Sequence, residues 1–138
     1  MMIGISTKTI YAIAAIYQLS LIKSEERLKI KEIASRANVP QKFLEQILLE
    51  LKKSSILNSI KGAKGGYSLA KPTTEIQLKD IIKVLENNAF SDICRTDNPI
   101  LQLFWKEKQE ALENLFNTPL SELKTYQERV TKNFNYII

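Results

Sequence analysis

The chain has 138 residues, 44% of them apolar, which suits one domain with a packed core. One cysteine and no histidine exclude an internal disulfide, a histidine-based catalytic triad and a zinc site made of cysteine and histidine. Residues 1–72 hold 12 Lys or Arg against 5 Asp or Glu, and residues 73–138 hold 8 against 10, so the first half is the one suited to a polyanionic partner.

A first helix is predicted from the capping residues Ser6 and Thr7 to about Leu21. Polar residues interrupt its apolar ones at helical spacing, so no secretion signal is expected, and no apolar run approaches the length of a membrane span. A cytoplasmic protein without a membrane partner is therefore expected. Residues 28–30 are expected to be a very short extended segment. The buried stripe of the first helix is predicted to comprise Ile10, Ile13, Ala14, Tyr17 and Leu21.

Residues 31–54 are typical of a helix-turn-helix. A short helix over residues 31–37 is followed by a turn at Asn38-Val39-Pro40 and by a second helix that begins at Pro40 and reaches about Ser54. Any pair of packed helices gives the same pattern, so the DNA-binding interpretation depends on the element that follows. The buried face of the second helix is predicted to comprise Phe43, Leu44, Ile47, Leu48 and Leu51.

In a recognition helix, the exposed side chains near the N-terminus approach the base edges. Here these are Gln41, Lys42, Glu45 and Gln46. Glutamine can pair with adenine and glutamate can accept from the cytosine amino group. Lys53, later in the helix, is expected nearer the phosphates. The alternative for each of these residues is a solvated helix face.

The following segment contains three of the four glycines and is predicted to be a β-hairpin. Its strands span residues 57–61 and 66–70, and its Gly-rich turn needs backbone that accepts positive φ. The hairpin carries lysines, among them Lys61 and Lys64, and no acid. A cationic hairpin directly after a helix-turn-helix is typical of the wing of a winged helix, and an ordinary surface hairpin is the alternative.

The second half is predicted to be helical, with helices over residues 78–87, 98–117 and 118–132 and an apolar tail. The middle helix is long for so small a domain, which favours a dimer interface, although it could also pack on its own domain. The three predicted regions are a DNA-binding domain at 1–86, a loop at 87–98 and a helical dimerisation region at 99–138. The apolar residues of the expected dimer helix are Leu101, Phe104, Trp105, Leu112, Leu115 and Phe116.

Four segments together resemble one family of bacterial regulators. They are Ser6-Thr7-Lys8 before a Tyr/Ala-rich helix, Lys31-Glu32-Ile33-Ala34, Phe43-Leu44-Glu45-Gln46-Ile47-Leu48 and Lys61-Gly62-Ala63-Lys64-Gly65-Gly66-Tyr67-Ser68-Leu69-Ala70. They are similar to the IscR/NsrR/CymR family of winged-helix transcription factors, called the Rrf-two family. The resemblance covers residues 4–86 closely and the long helix loosely.

The resemblance implies a mainly α fold, a winged helix-turn-helix domain with a small β-hairpin wing and a long C-terminal dimerisation helix. It implies a homodimer that binds an inverted-repeat operator in double-stranded DNA, usually to repress. Residues at matching motif positions are expected to contact DNA, with Lys61 and Gly62 in the minor groove. Where the family often has arginine, Lys61 keeps the charge but loses the planar fork. The other matching residues are Ser6, Lys8, Lys42, Glu45 and Gln46.

The loop departs from the family pattern. Cluster-binding members carry three cysteines there, whereas residues 87–98 contain only Cys94. Because an iron–sulfur cluster needs several thiolates, no metal or other cofactor is expected. Cys94 is a candidate redox sensor: Arg95 would favour its thiolate, and Asp92 and Asp97 would oppose it. An ordinary, partly buried cysteine is the alternative.

The sequence therefore predicts a homodimeric DNA-binding regulator, in the role of a repressor, open to control by a regulatory protein or a small-molecule effector. The alternative is a winged-helix protein–protein interaction module controlled by a metabolic or signalling partner, whose acidic surface the basic wing would bind. An enzyme is not expected, because no cluster of acids and bases stands out. The Gly-rich turn also lacks the Gly-Lys-Ser/Thr ending of a phosphate loop.

Overall fold

The structure, a computed structural model, describes residues 4–86 and 95–137, with side chains up to residue 133. Within these ranges the chain forms six α-helices, one 3-10 turn and one antiparallel hairpin, which confirms the predicted mainly helical fold with a hairpin. In chain order the elements are α1 (Thr7–Ser20), α2 (Ile30–Ala37), α3 (Gln41–Lys53), β1 (Leu57–Ile60), β2 (Gly66–Leu69), α4 (Leu78–Leu85), α5 (Pro99–Leu115), the 3-10 turn (Leu120–Glu122) and α6 (Leu123–Ile137).

Helix α1 is the centre of the core and packs against α2, α3 and α4. The predicted buried stripe is wrong, because Ile10 is 58% exposed and Leu21 52% exposed. Alanines on the opposite side allow the neighbouring helices to approach α1 closely. Since α1 is apolar on nearly all sides, residue spacing could not select its buried face. The side chains that it buries are Thr9, Ala12, Ala15, Ile16 and Leu19.

The turn between α2 and α3 forms as predicted. Asn38 adopts the left-handed conformation, with φ of 55°. The N–H of Val39 donates to the carbonyl of Ala34 at 3.0 Å, which closes the C-terminus of α2. Val39 itself is buried in the core and so fixes the angle at which α3 leaves the turn.

Helix α3 buries four of its five predicted apolar side chains. The exception is Phe43, which is 46% exposed, so its predicted burial is wrong. Phe43 lies beside the ring of Tyr11, with the ring centroids 5.6 Å apart, at the edge of the core. The four buried side chains are Leu44, Ile47, Leu48 and Leu51.

The C-terminus of α3 carries a strained residue, Ser55, with φ of 61°. The N–H of Ile56 donates to the carbonyl of Leu51 at 3.0 Å, a helix-closing geometry in which glycine is the favoured residue at the Ser55 position. We expect Ser55→Gly to raise the free energy of unfolding by about 0.5–1 kcal/mol, because the backbone strain is relieved. Urea unfolding measures it. Ser54→Gly, at a residue with negative φ, is the control and should not stabilise the protein.

The hairpin pairs Leu57 with Leu69 and Ile60 with Gly66, and its other edge is also occupied. Leu28 forms a bridge with Tyr67, in which Tyr67 N–H donates at 2.7 Å and Leu28 N–H donates back at 3.0 Å. The predicted extended segment is therefore confirmed at Leu28, whereas Ile30 already belongs to α2. This pairing attaches the hairpin to the segment that leads into the helix-turn-helix.

The chain after α5 returns to the core through the 3-10 turn. Gln77 bridges Pro119, Leu120 N–H donates to the carbonyl of Ile76 at 2.7 Å, and the Leu120 side chain is 1% exposed. The last helix was predicted to start at Thr118–Pro119 and to end near Lys132, and both bounds are wrong. Pairing with residues 76–78 holds Pro119 extended, so α6 starts only at Leu123, and its backbone continues to Ile137.

Candidate nucleic-acid interface

The first two turns of α3 present a polar face to solvent. Gln41, Lys42, Glu45 and Gln46 are all exposed, as predicted, because the apolar residues between them anchor the opposite face in the core. The Lys42 ammonium lies 5.3 Å from the centre of the Phe43 ring. Lys53 is exposed in the last turn of the helix. This arrangement gives a helix with amide, carboxylate and ammonium groups available along one side.

Lys8, on α1, is joined to this face through an acid that the sequence analysis missed. Lys8 Nζ lies 2.9 Å from Oε2 of Glu50 and donates to Oε1 at 3.1 Å, while Gln46 Nε2 donates to the same Oε1 at 3.2 Å. Burial raises the pKa of Glu50, but the bonds from Lys8 and Gln46 and the charges of Lys8 and Lys53 outweigh it, so its pKa is lowered. The i, i+4 spacing of Gln46 and Glu50 was the available signal.

Ser6 caps α1 rather than presenting a free hydroxyl. Its Oγ accepts from Thr9 N–H, and its own N–H donates to Oε1 of Glu86 at 2.7 Å. The buried Thr9 hydroxyl donates to the same oxygen at 2.7 Å. Burial raises the pKa of Glu86, but the bonds from Ser6 and Thr9 and the charge of Lys8 lower it overall. The end of α4 is thereby fastened to the start of α1.

The tip of the hairpin, residues 61–64, is exposed, and we call it the wing tip. Gly65 N–H donates to the carbonyl of Gly62 at 3.0 Å and closes the turn, and Gly62 has φ of 110°. Within the described part of the chain, Lys61 and Lys64 form no ion pair, since the two pairs found there involve Lys8 and Lys83. The wing tip therefore keeps two uncompensated positive charges.

Helix α5 has no buried side chain, although it is rich in apolar residues. Phe104 and Trp105 contact each other edge to face, with centroids 5.1 Å apart, and Lys83 of α4 forms an ion pair with Glu113. Of the predicted dimer residues, Leu101, Phe104, Trp105 and Leu115 are exposed, and Leu112 and Phe116 are half-buried. The sequence analysis missed Ile100 and Leu103, which are 78% and 60% exposed.

Cys94 and most of the predicted 87–98 loop lie outside the described residues. In residues 4–86 and 95–137, no three His, Cys, Asp or Glu side chains come together as a metal site. None of the helices described there is long and apolar enough to cross a bilayer.

The fold and the exposed groups define a class of protein. A helix-turn-helix whose second helix exposes polar side chains, followed by a hairpin with a cationic tip, is the architecture of a winged-helix DNA-binding regulator. Comparison with known proteins gives the family. The sequence profile of the Rrf2 family, described as an iron-dependent transcriptional regulator, matches residues 5–131. The chain belongs to this family of DNA-binding transcriptional regulators.

Characterised relatives agree with this assignment. The chain is 29% identical over 136 residues to the HTH-type transcriptional regulator CymR of Bacillus subtilis, covering 97% of this chain and 99% of that one. The solved structure of B. subtilis CymR, titled the global cysteine regulator, superimposes with a TM-score of 0.80 at 30% identity, covering 91% of this chain and 98% of CymR. T. potens IscR superimposes with a TM-score of 0.77 at 28% identity, covering 92% and 90%.

The family description implies iron, and the residues of this chain do not fit a family-type cluster site. Iron–sulfur clusters are held by about four thiolate or imidazole ligands. One cysteine and no histidine per chain cannot supply that set.

Proposed function

We propose that this chain is a cytoplasmic, homodimeric repressor that binds an inverted-repeat operator and blocks a promoter by occupying it. The observation that carries the proposal is the pairing of an exposed polar face on α3 with a wing tip whose two lysines have no carboxylate partner among the described residues. Unpaired cations beside a recognition helix favour a polyanion over an apolar or acidic small ligand.

The exposed side chains differ in which part of the DNA they can recognise. Gln46 matches the donor and acceptor of adenine, and Glu45 can accept from the amino group of cytosine. Lys42, about one helical turn before them, can reach a base or a phosphate. On the wing tip, this proposal assigns Lys61, beside Gly62, to the minor groove, and it assigns Lys64, like Lys53 at the end of α3, to phosphate. Base choice then depends mainly on α3, because phosphate contacts carry no sequence information.

Helix α5 supplies the dimer interface in this proposal. Its 17 residues span roughly 25 Å, and the large apolar side chains on it are left exposed by a single chain. Exposed apolar surface of this kind marks an interaction site. A second copy that crosses α5 would cover it and would set two recognition helices about one DNA turn apart, roughly 34 Å.

Selection from random duplex DNA tests the function directly. The purified protein should enrich an inverted repeat whose half-sites are centred about one turn apart. Binding to an acidic protein partner, with no sequence enriched at any salt concentration, would instead support the interaction module.

The two wing-tip lysines should contribute to affinity for all DNA sequences. We expect Lys61→Ala and Lys64→Ala each to weaken binding to the operator and to unrelated DNA alike. Each should also reduce the slope of log affinity against log salt by about 0.9, the value for one phosphate contact. Fluorescence anisotropy at several salt concentrations measures both effects. Lys132→Ala removes an equal charge from α6 and is the control. An unchanged slope in both wing variants would contradict the assignment.

A further inference from the structure

We propose that Glu50 is a positioning residue for DNA readout, which together with Lys8 holds the Gln46 amide in the orientation that selects adenine. The inference rests on the proposed function, since it concerns how that function chooses its sequence. Glu50 is not expected to contact a base. It acts through the side chain of Gln46, one helical turn before it.

The geometry is that of a clamp between two helices. Oε1 of Glu50 accepts from Gln46 Nε2 at 3.2 Å and from Lys8 Nζ at 3.1 Å, and Oε2 lies 2.9 Å from the same ammonium. Lys8 is on α1, which packs against α2, α3 and α4, whereas Gln46 and Glu50 are both on α3. The carboxylate is therefore anchored from outside the recognition helix before it orients the glutamine.

The hydrogen-bonding groups of Gln46 that Glu50 leaves free match those of adenine. A glutamine amide has two N–H donors and one carbonyl oxygen. One N–H is donated to Glu50, which leaves one N–H for N7 of adenine and the oxygen for the N6 amino group. Without Glu50, the exposed side chain would sample other rotamers and could present its N–H groups to guanine. Fixing the side chain before binding also lowers the entropy lost on association.

The charge arrangement supports the same role. A carboxylate on the DNA-facing helix repels phosphate unless a cation neutralises it. Lys8 supplies that cation, and its bonds to Glu50, with those from Gln46, keep the pKa of Glu50 below its ordinary value despite burial. In this proposal Lys8 acts as the anchor of Glu50, and its role as a direct DNA contact stays a prediction.

The test compares Glu50→Ala, which removes the acceptor, with Gln46→Ala and the double variant by selection and by binding to single-base operator variants. Glu50→Ala should reduce the preference for adenine about tenfold at one symmetric pair of operator positions and leave the other positions unchanged. The double variant should match Gln46→Ala alone at those positions, because the two residues act as one unit. Glu113→Ala, which removes the ion pair between α5 and Lys83 of α4, is the matched control and should leave every preference unchanged.

A second variant distinguishes a loss of Gln46 positioning from a general loss of stability in α3. Lys8→Gln removes the anchor without changing α3, and it should relax the same operator positions as Glu50→Ala. Unchanged base preference in Glu50→Ala, or additive losses in the double variant, would overturn the inference and leave the proposed function standing. If the unmodified protein selects no sequence at all, both the inference and the proposed function are overturned.

Discussion

Replacing Gly65 by alanine is expected to destroy the wing. A Cβ at this buried position would lie 2.1 Å from the carbonyl oxygen of Ile60 and 2.8 Å from the carbonyl carbon of Lys61. Both are backbone atoms, so no side-chain rotation relieves the overlap. The turn must open, which breaks the Gly65–Gly62 hydrogen bond and separates Ile60 from Gly66. We expect a loss of about 2–4 kcal/mol in the free energy of unfolding, a value typical of severe packing or backbone damage.

Denaturant unfolding measures the loss of stability, and the salt dependence of DNA binding measures the loss of the wing contacts. Gly65→Ala should also lower the salt slope by about two, since both wing-tip lysines lose their positions. Two other glycines give graded controls. Gly62→Ala has open space for its Cβ but a φ of 110°, so it should lower the free energy of unfolding by less than Gly65→Ala. Gly4→Ala has open space and no positive φ, so it should leave the free energy of unfolding unchanged. A Gly65→Ala protein as stable as Gly4→Ala would contradict the described turn.

Leu101→Glu on α5 is expected to convert the proposed dimer into monomers and to lower operator affinity by a factor of about 100 or more. In the proposed dimer this side chain is covered by the partner, and a buried carboxylate without a cation costs several kcal/mol. Loss of the second recognition helix then removes the gain that comes from linking two binding modules, about 100- to 10,000-fold. Since Leu101 is 44% exposed in the single chain, the stability of the DNA-binding half should not change.

Analytical ultracentrifugation reports the dimer, and anisotropy with operator DNA reports the affinity. Leu21→Glu places the same charge on a leucine that is 52% exposed at the end of α1, and it is the matched control. It should remain dimeric and bind normally. A Leu101→Glu protein that is still dimeric and still binds the operator would rule out α5 as the interface.

Sequence patterns predicted the structural features that depend on residues close together in the chain. The buried leucines of α3 follow from helical spacing, and the hairpin follows from its glycines, since Gly65 and Gly66 leave no room for a Cβ. The buried face of α1 could not be predicted, because an all-round apolar helix is oriented by its neighbours. The Lys8–Glu50 contact joins residues 42 positions apart, and no spacing rule reaches that far. Helix α5 starts at Pro99, one residue from its predicted start, but none of its side chains is buried by its own chain, so residue spacing could not show what covers it.

The burial of Leu120 has a consequence for how the protein folds during translation. This side chain is 1% exposed and belongs to the same apolar cluster as Leu48 and Ile16, yet it follows α5 in the sequence. During translation, α1 to α4 are complete well before the ribosome adds the residue that completes their core. The core formed by α1 to α4 thus reaches its final packing only after α5 has been synthesised. In the proposed dimer, the completed DNA-binding half and its pairing surface would therefore become available together.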